Sequence, residues 1–282
     1  MNLIPEIKPQ QSLDLLKALH ILTRDGKLNQ DSRRKLKQVY HLYQFIEPML
    51  QSLMQASLEL NPAHHALPNP IIVDHGAGKS YLGFILYDLF LKQYAQGSLI
   101  GIESRQTLVE NSIALAQSLN FSRMQFHHLT VQQACSTPLI PAQVDMVTAL
   151  HACDTATDDA IRFALQKQAQ YIVLVPCCQA EVAEVLRQHK SHTLSATALA
   201  EIWRHPIHTR EFGSLVTNVL RCLQLEAHGY KVTVTELVGW EHSMKNELII
   251  AKRQHAPRGN ARQRLEEILH TLNLQSLQQR FS

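Results

Sequence analysis

The chain has 282 residues, 45% hydrophobic and 18% charged, with 10 Gly and 11 Pro, which supports a sizeable core and excludes a disordered, collagen-like or Gly-rich low-complexity chain. Lys plus Arg number 27 against 24 Asp plus Glu, a net charge of +3. That excludes a whole-protein polycation and leaves room for local basic patches.

Residues 1–68 read as helical. Leu13, Leu15, Leu16, Leu19 and Leu22 fall at helix-compatible spacing. After an Asp25-Gly26 turn, Leu36, Val39, Tyr40, Leu42, Tyr43, Phe45 and Ile46 repeat the pattern, until Pro62, Pro68 and Pro70 break it. From residue 71, short β-branched runs alternate with helical stretches: Ile71–Val73, Ser98–Glu103, Met124–His128, Asp145–Leu150 and Tyr171–Val175. That alternation predicts βαβ units and a parallel sheet. Lys231–Val238 and Glu247–Lys252 are too close for a crossover, so they predict an antiparallel pair with one reversed strand near an edge. Residues 255–282 read as a basic linker and a short helix.

The five cysteines are odd in number and include the adjacent Cys177 and Cys178. No disulfide framework is predicted, and a reducing, cytoplasmic setting is expected. The N-terminus has no apolar signal region, and Tyr81–Leu91 is too short to span a bilayer. No membrane association is expected.

The most informative stretch is Ile71-Ile72-Val73-Asp74-His75-Gly76-Ala77-Gly78-Lys79-Ser80-Tyr81-Leu82-Gly83. A buried strand enters a Gly-x-Gly turn and a helix follows, an arrangement suited to negatively charged ligand groups. A dinucleotide loop wants a third glycine where Tyr81 stands. A P-loop wants a first glycine where Val73 stands, although Gly78-Lys79-Ser80 fits its end. An S-adenosylmethionine loop wants an acidic residue and then Gly-x-Gly, which Asp74, Gly76 and Gly78 supply. Asp74 is expected to receive the methionine ammonium, directly or through water. Glu103, at the end of the second strand, is placed to take the ribose hydroxyls of an adenosine.

These residues resemble the class I S-adenosylmethionine-dependent methyltransferases whose loop reads Gly-x-Gly-Lys-x-Tyr-Leu. The resemblance extends to Leu150-His151-Ala152-Cys153-Asp154-Thr155-Ala156-Thr157-Asp158 and Val175-Pro176-Cys177-Cys178-Gln179. Weaker matches lie at Lys35–Gln38, Leu215–Arg221 and Lys245-Asn246, so it runs from about residue 33 to 253. It implies a Rossmann-like α/β fold, a seven-stranded, mostly parallel sheet with one antiparallel strand, and S-adenosyl-L-methionine as cofactor. On that reading 1–68 is an N-terminal helical segment, 69–254 the methyltransferase domain and 255–282 a basic tail. The cofactor set is Asp74, Gly76, Gly78, Lys79, Tyr81, Glu103, His128 and Leu150. His128 or Thr130 is the expected adenine neighbour. The chain departs from the family at Asn218, where relatives carry Asp, which leaves no carboxylate there for acid/base work.

Strands four and five end at His151, Cys153 and Asp154, and at Cys177, Cys178 and Gln179, side by side in a parallel sheet. His151, Asp154, Cys177 and Cys178 are therefore the catalytic candidates. Either thiol is a candidate nucleophile. His151, Cys153, Cys177 and Cys178 have ligand types suited to zinc, but adjacent cysteines are poor ligand spacing. A third reading makes the two segments the wall of an acceptor pocket, with His151, Asp154 or Gln179 holding the acceptor. Buried packing is the fourth. Asp154 is also expected to cap the following helix, with Asp158 in its first turn.

Between Arg24 and Lys37 there are six basic residues and two acidic ones. With Tyr40 and Tyr43 behind them, Arg33, Arg34, Lys35 and Lys37 form a possible RNA surface; the segment Arg33–Lys37 alternatively closes over the cofactor. Lys252, Arg253, Arg258, Arg262 and Arg264 form a second basic cluster. The expected activity is methylation of RNA or protein. The alternatives are a non-catalytic RNA-binding module on the same fold and a P-loop-like nucleotide-binding protein.

Overall fold

The computed structural model describes residues 5–59, 69–150, 154–177, 179–188, 201–237, 247–254 and 259–282. His151, Cys153, Cys178, Arg258 and the segment 243–246 lie outside the described residues.

Two helices open the chain, α1 (Leu13–Ala18) and α2 (Gln30–Glu59). The alternating region then gives β1 (Ile71–His75), α3 (Tyr81–Leu89), β2 (Ser98–Glu103), α4 (Gln106–Ser118), β3 (Met124–His128), α5 (Val131–Ser136), β4 (Met146–Leu150), α6 (Thr155–Gln166) and β5 (Tyr171–Val175). The rest is α7 (Glu181–Gln188), α8 (Glu201–Arg204), α9 (Pro206–Ala227), β6 (Tyr230–Glu236), β7 (Glu247–Arg253) and α10 (Ala261–Thr271). The seven strands form one sheet in the order β3-β2-β1-β4-β5-β7-β6. β1 to β5 pair in parallel, and β7 runs antiparallel to both β5 and β6. The reversed strand predicted from the short 231–252 spacing is β7, one place in from the edge.

Burial follows position in the sheet. Every residue of the interior strand β5 is buried, whereas β3 at one edge mixes buried and exposed residues. A parallel strand covered on both faces needs a continuous apolar run, and Tyr171–Val175 is one. One face is covered by α1 to α4 in a single core that includes Leu16, Ile46, Phe84 and Ile72. The other is covered by α5, α6 and part of α9, with Val73, Phe163 and Leu225. A third cluster packs α10 and the closing turn, through Leu265, Leu269 and Phe281, against Val182 of α7 and Leu220 of α9.

The N-terminal helices share the first core and are fixed by a buried carboxylate. Asp88 of α3 accepts from the Ser12 N–H at 2.8 Å, and the Gln11 amide and the Lys92 ammonium complete its shell. Ser12 in turn accepts from the Leu15 N–H and caps α1.

Candidate functional site

Chain order in the sheet reverses between β1 and β4. In open α/β sheets the crevice at such a switch point, at the carboxyl ends of the strands, is where ligands bind. The glycine turn follows β1, Glu103 ends β2, Leu150 ends β4 and Cys177 follows β5. The topology therefore brings the glycine turn, Glu103, Leu150 and Cys177 to one edge of the sheet.

β1 runs two residues further than the sequence implied, because Asp74 and His75 still pair with Gly101 and Ile102 of β2. Asp74 is 3% exposed. It accepts from the Ser80 hydroxyl at 2.9 Å and from the Thr148 hydroxyl at 3.1 Å. Burial pushes its carboxyl up to about 6, against the pull of those hydrogen bonds. The sequence reading aimed Asp74 at an ammonium. In the structure its oxygens tie β1 to β4 and to the start of α3.

The turn itself needs glycine at Gly76 (φ 67°) and Gly78 (φ 58°). Its N–H groups point inward: Ala77 donates to the Ile102 carbonyl at 2.9 Å, Gly78 to Glu103 Oε2 at 2.7 Å and Ser80 to the Ala77 carbonyl at 2.6 Å. A phosphate-wrapping loop keeps such groups free, so the P-loop alternative has no structural support here. The close helix-to-strand approach that the dinucleotide pattern gives to its third glycine falls to Gly83. A Cβ there would lie 2.4 Å from Ser80 Oγ and 3.3 Å from Asp74 Oδ2.

Glu103 is buried at the mouth. Besides Gly78, it accepts from the Arg105 N–H at 3.0 Å, Arg105 Nε at 2.9 Å and Arg105 Nη2 at 3.2 Å. Burial works to raise its pKa, but Arg105 and the Gly78 N–H together hold it below the ordinary value. Arg105 was not singled out in the sequence. Its signal is a cation two residues beyond the strand-end carboxylate.

Lys79 and Tyr81 point elsewhere. They line a cavity with Leu108 and Asn111 of α4 and His20 after α1, and none of Asp74, Gly76, Gly78 or Glu103 borders it. His128 is exposed, with Nε2 2.9 Å from the Ser104 carbonyl. Thr130 caps α5 in a reciprocal box with Gln133, so its hydroxyl is already used. Sequence reasoning passed over His75, which is 3% exposed, with both ring nitrogens unpartnered among the described residues and its ring 5.3 Å from Phe163. Burial pushes it down to about 4.

At the β4 and β5 ends, Leu150 is half-buried and packs on the first core. Asp154 precedes α6 with φ 49° and ψ −122°, a strained backbone for a residue with a Cβ. Its side chain makes no cap; Oδ1 accepts from the Ala180 N–H at 3.0 Å and joins the β4 and β5 segments. The expected capping role is therefore replaced by a bridging one. Asp158 is no free first-turn charge either. Arg221 of α9, 0% exposed, grips both its oxygens at 2.7 and 2.8 Å. Arg221 Nη2 also donates to the Asp154 carbonyl at 2.9 Å and Nη1 to Asn218 Oδ1 at 3.1 Å. The Gln179 amide is consumed by Asn218 and Ser214, so it does not face an acceptor. Asn218 also donates to Glu247 Oε2 at 2.6 Å, which makes it a structural link. Arg221 lay within a motif noted in the sequence but had no role; its signal is a cation inside the apolar run Val219 to Leu223.

Cys177 is half-buried. Among the described residues no cluster of three His, Cys, Asp or Glu gathers to hold a metal. The metal reading depends on His151, Cys153 and Cys178, which lie outside them.

The basic surfaces also look different in the fold. Arg33 pairs with Glu6 at 3.1 Å and Lys35 with Asp31 at 3.0 Å. Tyr43 is buried and donates to Glu47. Tyr40 is half-buried and donates to Gln11, and the Lys8 ammonium lies over both rings. Neither tyrosine is open to stack a base. In the second cluster Arg262 pairs with Glu266, Arg264 with Glu226, and Lys252 lies over Tyr171. Among the described residues no helix is long and apolar enough to cross a membrane.

The solved structures that this chain resembles include magnesium protoporphyrin IX methyltransferase from Synechocystis PCC 6803 with bound SAH, at 14% identity over 86% of this chain and 93% of that one, TM-score 0.44. They include a fibrillarin pre-rRNA processing protein from Methanococcus jannaschii, at 11% identity over 67% of this chain and 68% of that one, TM-score 0.43. A putative rRNA methylase from Clostridium thermocellum matches at 13% identity over 66% of this chain and 88% of that one, TM-score 0.41. No curated protein matches in sequence. A family model described as a methyltransferase domain matches residues 34–185, more than half of the chain. On that match, carried by a sheet whose order reverses beside the glycine turn, the chain belongs to this methyltransferase-domain family.

Proposed function

We propose that the chain is an S-adenosylmethionine-dependent methyltransferase with RNA as acceptor, 69–254 being its catalytic domain. The observation that carries the cofactor assignment is the 2.7 Å bond from the Gly78 N–H to Glu103, beside the switch point. It sets a strand-end carboxylate beside the glycine turn, the pairing an adenosine needs. Glu103 takes the ribose hydroxyls, Gly76 and Gly78 leave room for the cofactor, and Leu150 supplies apolar wall. Asp74 holds the turn in shape, and His128 holds the Ser104 carbonyl after Glu103.

S-adenosylmethionine, when bound, supplies a methyl group on a sulfonium. The protein's task is to hold a nucleophile in line with it. His151, Cys177 and Cys178 are assigned to the acceptor wall by their places after β4 and β5, and Asp154 braces that wall from behind. A base is required only for a protonated acceptor.

RNA is preferred because the Arg24–Lys37 segment carries six basic residues against two acidic. Charge alone supports this, since the tyrosines behind the segment are covered. The test is transfer of labelled methyl from S-adenosylmethionine to fractionated cellular RNA and protein, with calorimetry of SAH binding alongside. Label in RNA is expected; label only in protein overturns the acceptor. SAH that fails to bind the wild-type chain overturns the cofactor assignment.

A further inference from the structure

We propose that the cavity between the end of α1, the start of α3 and one face of α4 binds a nucleotide unit of single-stranded RNA, with a phosphate on its rim. This deepens the RNA reading above and rests on it.

The cavity holds about 350 Å³, within the roughly 300–1,000 Å³ range of small-ligand sites. Leu108 and Leu115, two turns apart on α4, form an apolar wall beside the half-buried Tyr81 ring. Lys79, His20 and Asn111 are exposed on the rim. No lining residue is acidic. The side chains of Lys79 and Asn111 form no hydrogen bond or ion pair among the described residues. The ligand that answers both walls is flat and apolar at one end and anionic at the other, which describes a nucleotide. The start of α3 adds its dipole to the same side.

The walls are pre-set. Asp88 locks α1 onto α3 through Ser12, Gln11 and Lys92. Asp74 locks Ser80, which precedes Tyr81. A rigid polar notch saves a ligand the cost of ordering the site. Four residues beyond His20 the chain enters the basic run Arg24 to Lys37. That run extends positive charge past the cavity, so the site suits a strand with further phosphates better than a free nucleotide.

The test uses the full chain, a fluorescein-labelled 12-nucleotide uridine-rich RNA and anisotropy across a salt series. Lys79→Gln is expected to lower affinity several-fold and reduce the slope of log affinity against log salt by about 0.7, the value for one phosphate contact on a single strand. Asn111→Glu, which places a carboxylate on the rim, is expected to weaken binding at least tenfold. Asn111 lies outside the expected cofactor set, so SAH calorimetry on Asn111→Glu reports that assignment independently, whereas Lys79, expected in that set from the sequence, is read through the salt slope. Wild-type affinity and slope in both variants overturn the proposal. So does a wild-type chain that binds SAH but not the RNA. Adenosine monophosphate binding as tightly as the oligomer overturns it in favour of a free nucleotide.

Discussion

Asp74 and His75 are consecutive residues of β1 that point to opposite faces of the sheet, Asp74 toward Ser80 at the start of α3 and His75 toward Phe163 of α6. Strand alternation dictates this. The result is a buried acid and a buried base back to back, each biased toward its neutral form by loss of water.

Their titrations act on stability in opposite directions. Asp74 rises from 3.8 to about 6, so the folded chain keeps a proton that the unfolded chain releases, and stability falls as pH rises from about 4 to about 6. His75 drops from 6.5 to about 4, so the unfolded chain takes up a proton first, and stability falls as pH drops from about 6.5 to about 4. Relative to wild type, Asp74→Asn is expected to give a profile that rises with pH across this window. His75→Leu should give one that falls. Each difference is on the order of 3 kcal/mol. Urea midpoints at pH 4.5, 5.5 and 6.5 measure it, and two variants that both track wild type would refute the pairing.

Arg105 occupies Glu103 where a ribose is proposed to bind. Its side chain is 67% exposed, so the ion pair is a surface one, worth about 0.2–1 kcal/mol. Arg105→Ala is therefore expected to tighten SAH binding by up to about fivefold, and Glu103→Ala to weaken it by more than tenfold. Calorimetry measures both. Weaker binding in Arg105→Ala would mean that Arg105 holds the ligand rather than competing with it.

Removing Arg221 leaves Asp158 buried and unpaired. Arg221→Met is expected to cost about 3–5 kcal/mol. The double variant Arg221→Met with Asp158→Leu should recover much of the loss, because no charge is then stranded. Denaturant titrations of the two give the comparison. A double variant no more stable than the single one would locate Arg221's contribution in its bonds to Asp154 and Asn218 instead.

Gly83→Ala puts a methyl 2.4 Å from Ser80 Oγ. Ser80 is anchored on Asp74, so α3 must move off β1, at about 1–3 kcal/mol by analogy with overpacked cores. The melting temperature reads the strain. SAH affinity should fall with it, since the same shift displaces Gly78.

The α/β class, the reversed strand and the nearness of Glu103 to the glycine turn were legible along the chain. These follow from local signals: buried β-branched runs, a gap too short for a crossover, and a glycine pair after a strand. The ends of parallel strands then converge whatever the side chains do. Where individual polar groups turn depends on the packed fold. Asp74 and Asp154 were placed correctly along the chain, yet hydroxyls and an N–H from distant segments claim their oxygens. Tyr40 and Tyr43 lost their stacking faces to Lys8, which lies more than thirty residues away in sequence. Arg221 gained its role from Asp158, 63 residues before it. Buried polar atoms must find partners, those partners come from elements packed together by the whole fold, and no local spacing records them.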